Sequence, residues 1–578
     1  MNKVGNKVGN KIGVYVCHCG GNISDVIDVK KVAEKCAGCG DVVQSKDYVF
    51  MCSDPGQNLI IEDIRSGKVD KVVVAACSPA LHELTFRKAL KRAGLNPYLY
   101  DHVNIREQSS WVHKSDKDGA TLKAIKLVKA GVAKVALQDS LEEISSKAEP
   151  SITVIGGGVA GMHTALAGAG MGLKVILLEK EKALGGKLLE LDKLYPDDKK
   201  ATDVLNPLLE KIKNESLIQV FLNTTIKEIK GFVGNFELIL SSGEKFKTGA
   251  IMMATGMQSY TPQTGEMEYK SDAKVITLFE LQKKLKENHA DKKMIYAGKE
   301  IKNIAFIHCV GSRQVDGQHA PQADGKINDY CSRLCCTSAL HTINKMQERF
   351  TELKFFDFYQ DIRTYGRGHE ELYEKASKNG VTFFRYSAET PPTITQEGVL
   401  VKDILTWNEE LIVPVDLIVL VTGVLPNPID DLVSMLKLPR GVDRFLQEAH
   451  PKLRPVEIAN SGIYLSGACQ GPMDVKEATF AAKASVSKAS ALLAPGFITI
   501  EPFVARVCEE KCQACGLCVA ECSYTGAIKL EKKAIITPAL CKGCGACAAV
   551  CPHRAIEVAG WSLDQFDAMV TAIAKEED

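Results

Sequence analysis

At 578 residues the chain is too long for a single hydrophobic core, so several domains are expected. Its 45% hydrophobic and 25% charged residues are those of an ordinary globular protein, and a net charge of +1 gives no electrostatic reason to expect nucleic acid or an anionic membrane as partner. The opening "MNKVGNKVGNKIGVYVCHCGG" is basic but has no apolar core ahead of a cleavage site, and no apolar run reaches spanning length, so a cytoplasmic protein is expected whose twenty cysteines serve metal or redox chemistry.

Residues 1–147 form the first expected domain. Between 12 and 140, short apolar strands ("IGVYVC", "YVFMC", "VDKVVVAAC") alternate with helices ("DVIDVKKVAEKC", "NLIIEDIRSG", "LTFRKALKRAG"), which predicts a small parallel α/β unit. Cys17, Cys19, Cys52 and Cys77 fall at the carboxyl ends of those strands, where open parallel sheets bind ligands. They are candidates for a cluster or a zinc site; cysteine is also a common core residue, which is the plainer alternative. "CAGC" at Cys36–Cys39 ends a helix without a thioredoxin-like context and reads as structural. A linker near Ser145–Pro150 closes the domain.

Residues 148–299 begin with "SITVIGGGVAGMHTALAGAGMGLKVILLEK": a buried strand, a glycine turn, a helix and a second strand. Gly156, Gly158 and Gly161 supply G-x-G-x-x-G, giving the turn, the close approach of a pyrophosphate and tight helix–strand packing. Val159 and Ala160 lie within that turn, and Glu179, followed by Lys180, ends the second strand where a carboxylate can bind an adenosine ribose. By itself this motif leaves open a glycine-rich turn without a ligand. "LGGK", with Gly186 and Lys187, "MMATG", with Ala254, Thr255 and Gly256, and "GIYLSGACQGPMDVKEA", with Gly467 and Ala468, resemble in order the later segments of two-dinucleotide-binding flavoproteins such as thioredoxin reductase. That resemblance implies FAD, with Gly467 and Ala468 beside its ribityl and isoalloxazine part. It also implies a split FAD domain, 148–299 and 453–498, around an insert at 300–452.

The insert would bind a second nucleotide in that family, but "KNIAFIHCVGSR" has no glycine fingerprint after it. Cys309 ends the strand instead, and "DYCSRLCC" supplies Cys331, Cys335 and Cys336 at a predicted helix start, where Cys331 and Cys335 would share one face. We read these four as a nonstandard 4Fe-4S site in place of a nicotinamide pocket, the helix dipole favouring an anionic cluster. A redox disulfide or buried thiols are the alternatives.

The tail, 499–578, carries Cys512, Cys515, Cys518 and Cys522, and the same spacing in Cys541, Cys544, Cys547 and Cys551 before Pro552. In two-cluster ferredoxins each cubane takes three cysteines from one run and the fourth from the other. The expected sets are therefore Cys512, Cys515, Cys518 with Cys551, and Cys541, Cys544, Cys547 with Cys522. Zinc seldom needs so tight a repeat. Ser523 stands where the first run lacks the usual proline, and Cys508 lies outside both runs.

Over almost its full length the chain resembles HdrA, the iron–sulfur flavoprotein component of heterodisulfide reductase. "IGVYVCHCGGNI", "YVFMCSDPGQ", "VVVAACSPALHE", the FAD fingerprint, "HCVGSR", "YCSRLCC" and the tail carry the likeness. It implies an α/β fold: a thioredoxin-reductase-like core with an N-terminal α/β domain and a ferredoxin-like tail. It implies FAD, 4Fe-4S clusters (three expected, with room for a fourth), and one component of an oxidoreductase that works with other redox subunits. Ferredoxin, or a donor of hydrogenase or formate dehydrogenase type, and a homodimer within a larger complex, are the expected partners. Some members bifurcate electrons at the flavin; others conduct them, and a self-sufficient NAD(P)H-dependent disulfide reductase is the third reading. Two departures bear on this. The extra ferredoxin module of the methanogen proteins is absent between Gly231 and Gly256, and His341 stands where bifurcating relatives often carry a lysine near the flavin, so that a cation is present only when it is protonated.

Overall fold

The computed structural model describes residues 10–287, 293–524 and 526–575, so the basic stretch before Asn10 lies outside the described residues. The chain divides into two compact units, Met1–Ser146 together with Thr499–Asp578, and Lys147–Ile498.

The first unit is built on four parallel strands, β1 (Ile12–Cys17), β2 (Val42–Tyr48), β3 (Lys71–Ala76) and β4 (Tyr100–Asn104), in the order β2-β1-β3-β4. Both faces are buried because successive side chains of β1 and β3 enter opposite cores. Val14, Val16, Val73 and Ala75 pack on the side of α1 (Val29–Ala37), whereas Tyr15, Cys17, Val72 and Val74 pack on the other, with α2 (Asp54–Arg65) and α3 (Pro79–Ala93). Helix starts are set locally: Asp28, Ser53 and Asp116 each accept a backbone N–H from the first turn of α1, α2 and α4 (Lys117–Ala136).

The tail closes on this domain. Its strands Ala505–Val507 and Ile556–Val558 pair antiparallel, as do Ile528–Leu530 and Ala534–Ile536. Its last helix, Leu563–Ala574, starts with a capping box between Ser562 and Gln565 and packs along α4. Three polar contacts fasten the two. Gln565 donates to Gln138 at 2.7 Å. Lys134 binds Asp101 at 2.6 Å while its ammonium lies 3.2 Å from the centre of the Trp561 ring. The Arg87 guanidinium packs against the rings of Tyr98 and Phe503, 5.0 Å from each centre, where those rings meet edge to face at 5.4 Å, and it binds Glu83 and Glu501.

The second unit holds two parallel sheets. Strands β5 (Ser151–Ile155), β6 (Lys174–Leu178), β7 (Ile218–Phe221) and β8 (Ala250–Met253) belong to the first. After them come β9 (Val275–Thr277), β10 (Asn303–Val310), β11 (Lys354–Tyr359), β12 (Thr382–Arg385) and β13 (Leu417–Thr422), which form the second in the order β9-β13-β10-β11-β12. The chain then returns as β14 (Ile463–Leu465), which completes the first sheet, β7-β6-β5-β8-β14. Helix α5 (Val159–Gly170) follows β5, α6 (Cys335–Arg349) follows β10, and α7 (Val475–Leu493) follows β14. Among the described residues no helix is long and apolar enough to cross a membrane.

Candidate functional site

A cavity of about 1030 Å³ opens over the carboxyl end of the first sheet. Its wall includes Gly156, Gly158, Val159 and Ala160 from the turn into α5, Glu179 and Lys180 after β6, Gly186 and Lys187, then Ala254, Thr255 and Gly256 after β8, and Ala468 after β14. His341 of α6 lines it too. Gly161 and Gly467 stand behind the wall and let it close up. A Cβ on Gly161 would lie 1.8 Å from the Gly156 carbonyl oxygen, and one on Gly467, at φ +77°, 2.6 Å from the Ala160 Cβ.

The residues present fit a dinucleotide. Gly158 caps α5 without offering a side-chain acceptor, so the first-turn N–H groups remain for a pyrophosphate. A Cβ on Gly158 would meet nothing nearer than the Gly186 Cα at 4.0 Å, so the space beside this backbone is open. Glu179 is buried and accepts from the N–H of Gly157 at 2.6 Å and of Glu181 at 2.9 Å, one bond on each oxygen, which leaves each a lone pair for a ribose hydroxyl. The Thr255 hydroxyl is buried in the same wall without a protein partner.

Cys309, Cys331, Cys335 and Cys336 gather in the insert. Burial, Cys336 and Cys331 together push the Cys309 thiol up to about 12, and Cys335 feels the charge of the other three. The hydrogen bond from Cys335, assisted by His308, holds Cys336 well below the usual thiol range. His308 is fully buried and pairs with Asp357 at 3.0 Å. The expectation that Cys331 and Cys335 share a helical face is corrected. Helix α6 begins only at Cys335, because Arg333, at φ +61°, breaks the helical path, and the Cys331 sulfur instead accepts the Arg333 N–H at 3.4 Å. Cys335 also lines the large cavity, a placement that its motif did not reveal.

In the tail, Cys512, Cys515, Cys518 and Cys551 line one small cavity. Burial raises Cys547 to about 11, with Cys541, Cys544 and Cys522 adding to it, so each interlocked set of four is brought together. Gly516 and Gly545, both at φ +80°, turn the chain between the third cysteine and its predecessors. Cys508 is exposed.

At the carboxyl edge of the four-stranded sheet, Cys17, Cys19, Cys52 and Cys77 influence one another, and burial above all raises Cys77 to about 12. The Cys17 sulfur accepts the N–H of Cys19 and of Met51 at 3.3 and 3.4 Å. Arg106, which no motif marked, donates to the Cys19 sulfur at 3.3 Å with its guanidinium 4.6 Å from the Trp111 ring centre. Cys36, by contrast, is core, and Cys39 turns back to the Lys35 carbonyl. Among the described residues no three His, Cys, Asp or Glu side chains converge as they would on a single metal ion. A cubane spaces its thiolates on separate corners and does not require that convergence.

A dinucleotide cavity in a doubly wound core, joined to a ferredoxin-like tail, defines an iron–sulfur flavoprotein oxidoreductase. Residues 150–305 match the pyridine nucleotide-disulphide oxidoreductase family, and 534–557 match the 4Fe-4S binding domain. An iron-sulfur A-type subunit of the CoB–CoM heterodisulfide reductase of Methanopyrus kandleri is 35% identical over 90% of this chain and 91% of its own. The corresponding subunit of the H2:CoB-CoM heterodisulfide,ferredoxin reductase of Methanothermobacter thermautotrophicus is 33% identical over 90% of each chain. A protein of Archaeoglobus profundus, named as similar to the same heterodisulfide reductase component, is 31% identical over 97% of this chain and 98% of its own. A thioredoxin reductase of T. acidophilum aligns with 59% of this chain and 97% of its own, at 14% identity and a TM-score of 0.39. The chain belongs to the HdrA family of heterodisulfide reductase components. It is an oxidoreductase with flavin and 4Fe-4S cofactors, and its activity is electron transfer.

Proposed function

We propose that this chain is the flavin hub of a multi-subunit oxidoreductase, taking electrons in pairs and handing them on singly through its clusters. FAD supplies the exchange between two-electron and one-electron chemistry. The turn at Gly156–Gly161, Glu179 and the Gly186–Lys187 segment hold its adenosine and pyrophosphate, and Thr255, Gly256, Gly467 and Ala468 hold the remainder. The observation that carries this reading is that Cys335 lines the cavity of the glycine turn, so a thiol of the insert's cysteine set and the cofactor space share a wall. Three clusters follow from Cys309, Cys331, Cys335 and Cys336 and from the two interlocked tail sets. The thiols of Cys17, Cys19, Cys52 and Cys77, with Arg106 against Cys19, support a fourth.

The relatives are components of larger enzymes, and one is named for hydrogen, heterodisulfide and ferredoxin, which supports other redox subunits, ferredoxin and a hydrogenase- or formate dehydrogenase-type donor as partners here. A cytoplasmic homodimer within such a complex is the setting we infer. Bifurcation, sending one electron of each pair to ferredoxin and one to a second acceptor, is the finer form of this proposal. A non-bifurcating conduit is the alternative. A self-sufficient NAD(P)H reductase is disfavoured because β10 runs into Cys309, at φ +63°, where a nucleotide turn would be needed. The test is an anaerobic spectroelectrochemical titration of the reconstituted protein, following flavin and clusters together. Crossed flavin potentials without an accumulating one-electron state are expected for bifurcation; a stable one-electron state between normally ordered potentials would leave only the conduit.

A further inference from the structure

Asp198 belongs to no motif, yet three basic side chains meet on it. Lys193 binds its Oδ2 at 2.8 Å, Lys345 binds Oδ2 at 2.9 Å, and His341 Nε2 lies 3.3 Å from Oδ1. The carboxylate is presented from a backbone at φ +56°, held by Lys193 on its own hairpin and by Lys345 one turn beyond His341 on α6. Cys335, Ser338 and His341 recur every third residue and line the cavity along one face of α6. His341 therefore shares its stretch of wall with the thiol through which electrons would enter or leave.

We propose that His341 is the proton acceptor that balances negative charge when electrons enter this cavity, with Asp198 as the positioning residue that fixes its ring and stabilises the imidazolium. The inference rests on the flavin lying in that cavity. Two electrons come from the donor of the established redox activity and one proton goes to the flavin, which leaves a net negative charge. A second proton then moves from solvent to the imidazole, forming its second N–H bond, and this second step changes no bond of the flavin. With Nε2 turned to Asp198, Nδ1 is the nitrogen left to exchange with the cavity or solvent.

The surroundings set the resting state. Burial chiefly lowers His341 below the ordinary histidine value, Asp198 pulls it upward, and Lys345 and Lys193 reinforce the lowering. Tyr195 faces the ring at 6.4 Å; behind it stand His369, 5.5 Å from Tyr195, and Asp474, 4.0 Å from His369. Glu348 draws Lys345 the other way at 2.8 Å. The imidazole is thus neutral near pH 7 before electrons arrive, and added negative charge raises its affinity for a proton. Uptake occurs only at pH above the oxidised-state value and below the reduced-state value.

The experiment measures the flavin midpoint potential of the holoprotein across about pH 5–9, anaerobically, for wild type, His341→Gln and Asp198→Asn, with flavin content determined for each. Proton uptake on reduction is read in parallel with an indicator dye. Wild type is expected to take up one extra proton per electron pair inside the window; His341→Gln should lose it at every pH, and Asp198→Asn, which removes the upward pull on the imidazole in both redox states, should move the window to lower pH. A flavin-replete His341→Gln protein with the wild-type profile overturns the proposal and leaves the flavin site standing. If either variant fails to fold, a wild type without the extra proton overturns it equally. An Asp198→Asn profile identical to wild type overturns the role of Asp198. A Gly158→Glu protein, its cavity blocked, that still binds flavin overturns the placement on which all of this rests.

Discussion

Gly158 and Gly161 stand three residues apart, yet a methyl group would do different damage at each. On Gly161 it collides with the Gly156 carbonyl oxygen, a backbone atom that cannot swing aside, so Gly161→Ala should cost about 1–3 kcal/mol of stability and the flavin together. On Gly158 it meets only open space, and Gly158→Ala should fold normally while losing flavin affinity, because the methyl occupies the side from which a pyrophosphate approaches. Thermal denaturation and the flavin-to-protein ratio separate the two; equal Tm losses would contradict the assignment. Both positions were legible in the sequence, since each depends on residues within one strand, turn and helix. Asp198 and Arg106 were not, because their partners, His341 and Cys19, lie 143 and 87 residues away.

Among the elements, the strand–turn–helix of the FAD fold and the cysteine runs of the tail follow from local spacing and were readable for that reason. The start of α6 was not: the run of thiols suggested an early helix, whereas a left-handed Arg333 withholds Cys331 from it and sends its own guanidinium to Glu477 at 2.9 Å. Nor does any pattern in α3 announce that Arg87 will meet the tail. Its side chain is only 10% exposed and packs against two rings, while its partners Glu83 and Glu501 reach solvent, so Arg87→Ala should destabilise the first unit by about 1–2 kcal/mol, chiefly through the lost ring contacts. Urea unfolding followed through the tail clusters would measure it, and Arg87→Lys, which keeps the charge without the planar stacking, should fall between.

For the whole molecule, the division into two units places the complete dinucleotide cavity within Lys147–Ile498. A fragment of those residues should fold and bind flavin without the tail's clusters, as its visible spectrum would report. A fragment ending at 498 but keeping 1–146 should be less soluble than either, since α4 would lose the helix Leu563–Ala574 that covers it. The same division has a consequence during synthesis. At about 5–20 residues per second, the roughly 350 residues between the two halves of the first unit take roughly 18–70 s to emerge. For that interval the nascent N-terminal domain carries an uncovered α4, and the delay sets the earliest moment at which its own tail can cover it.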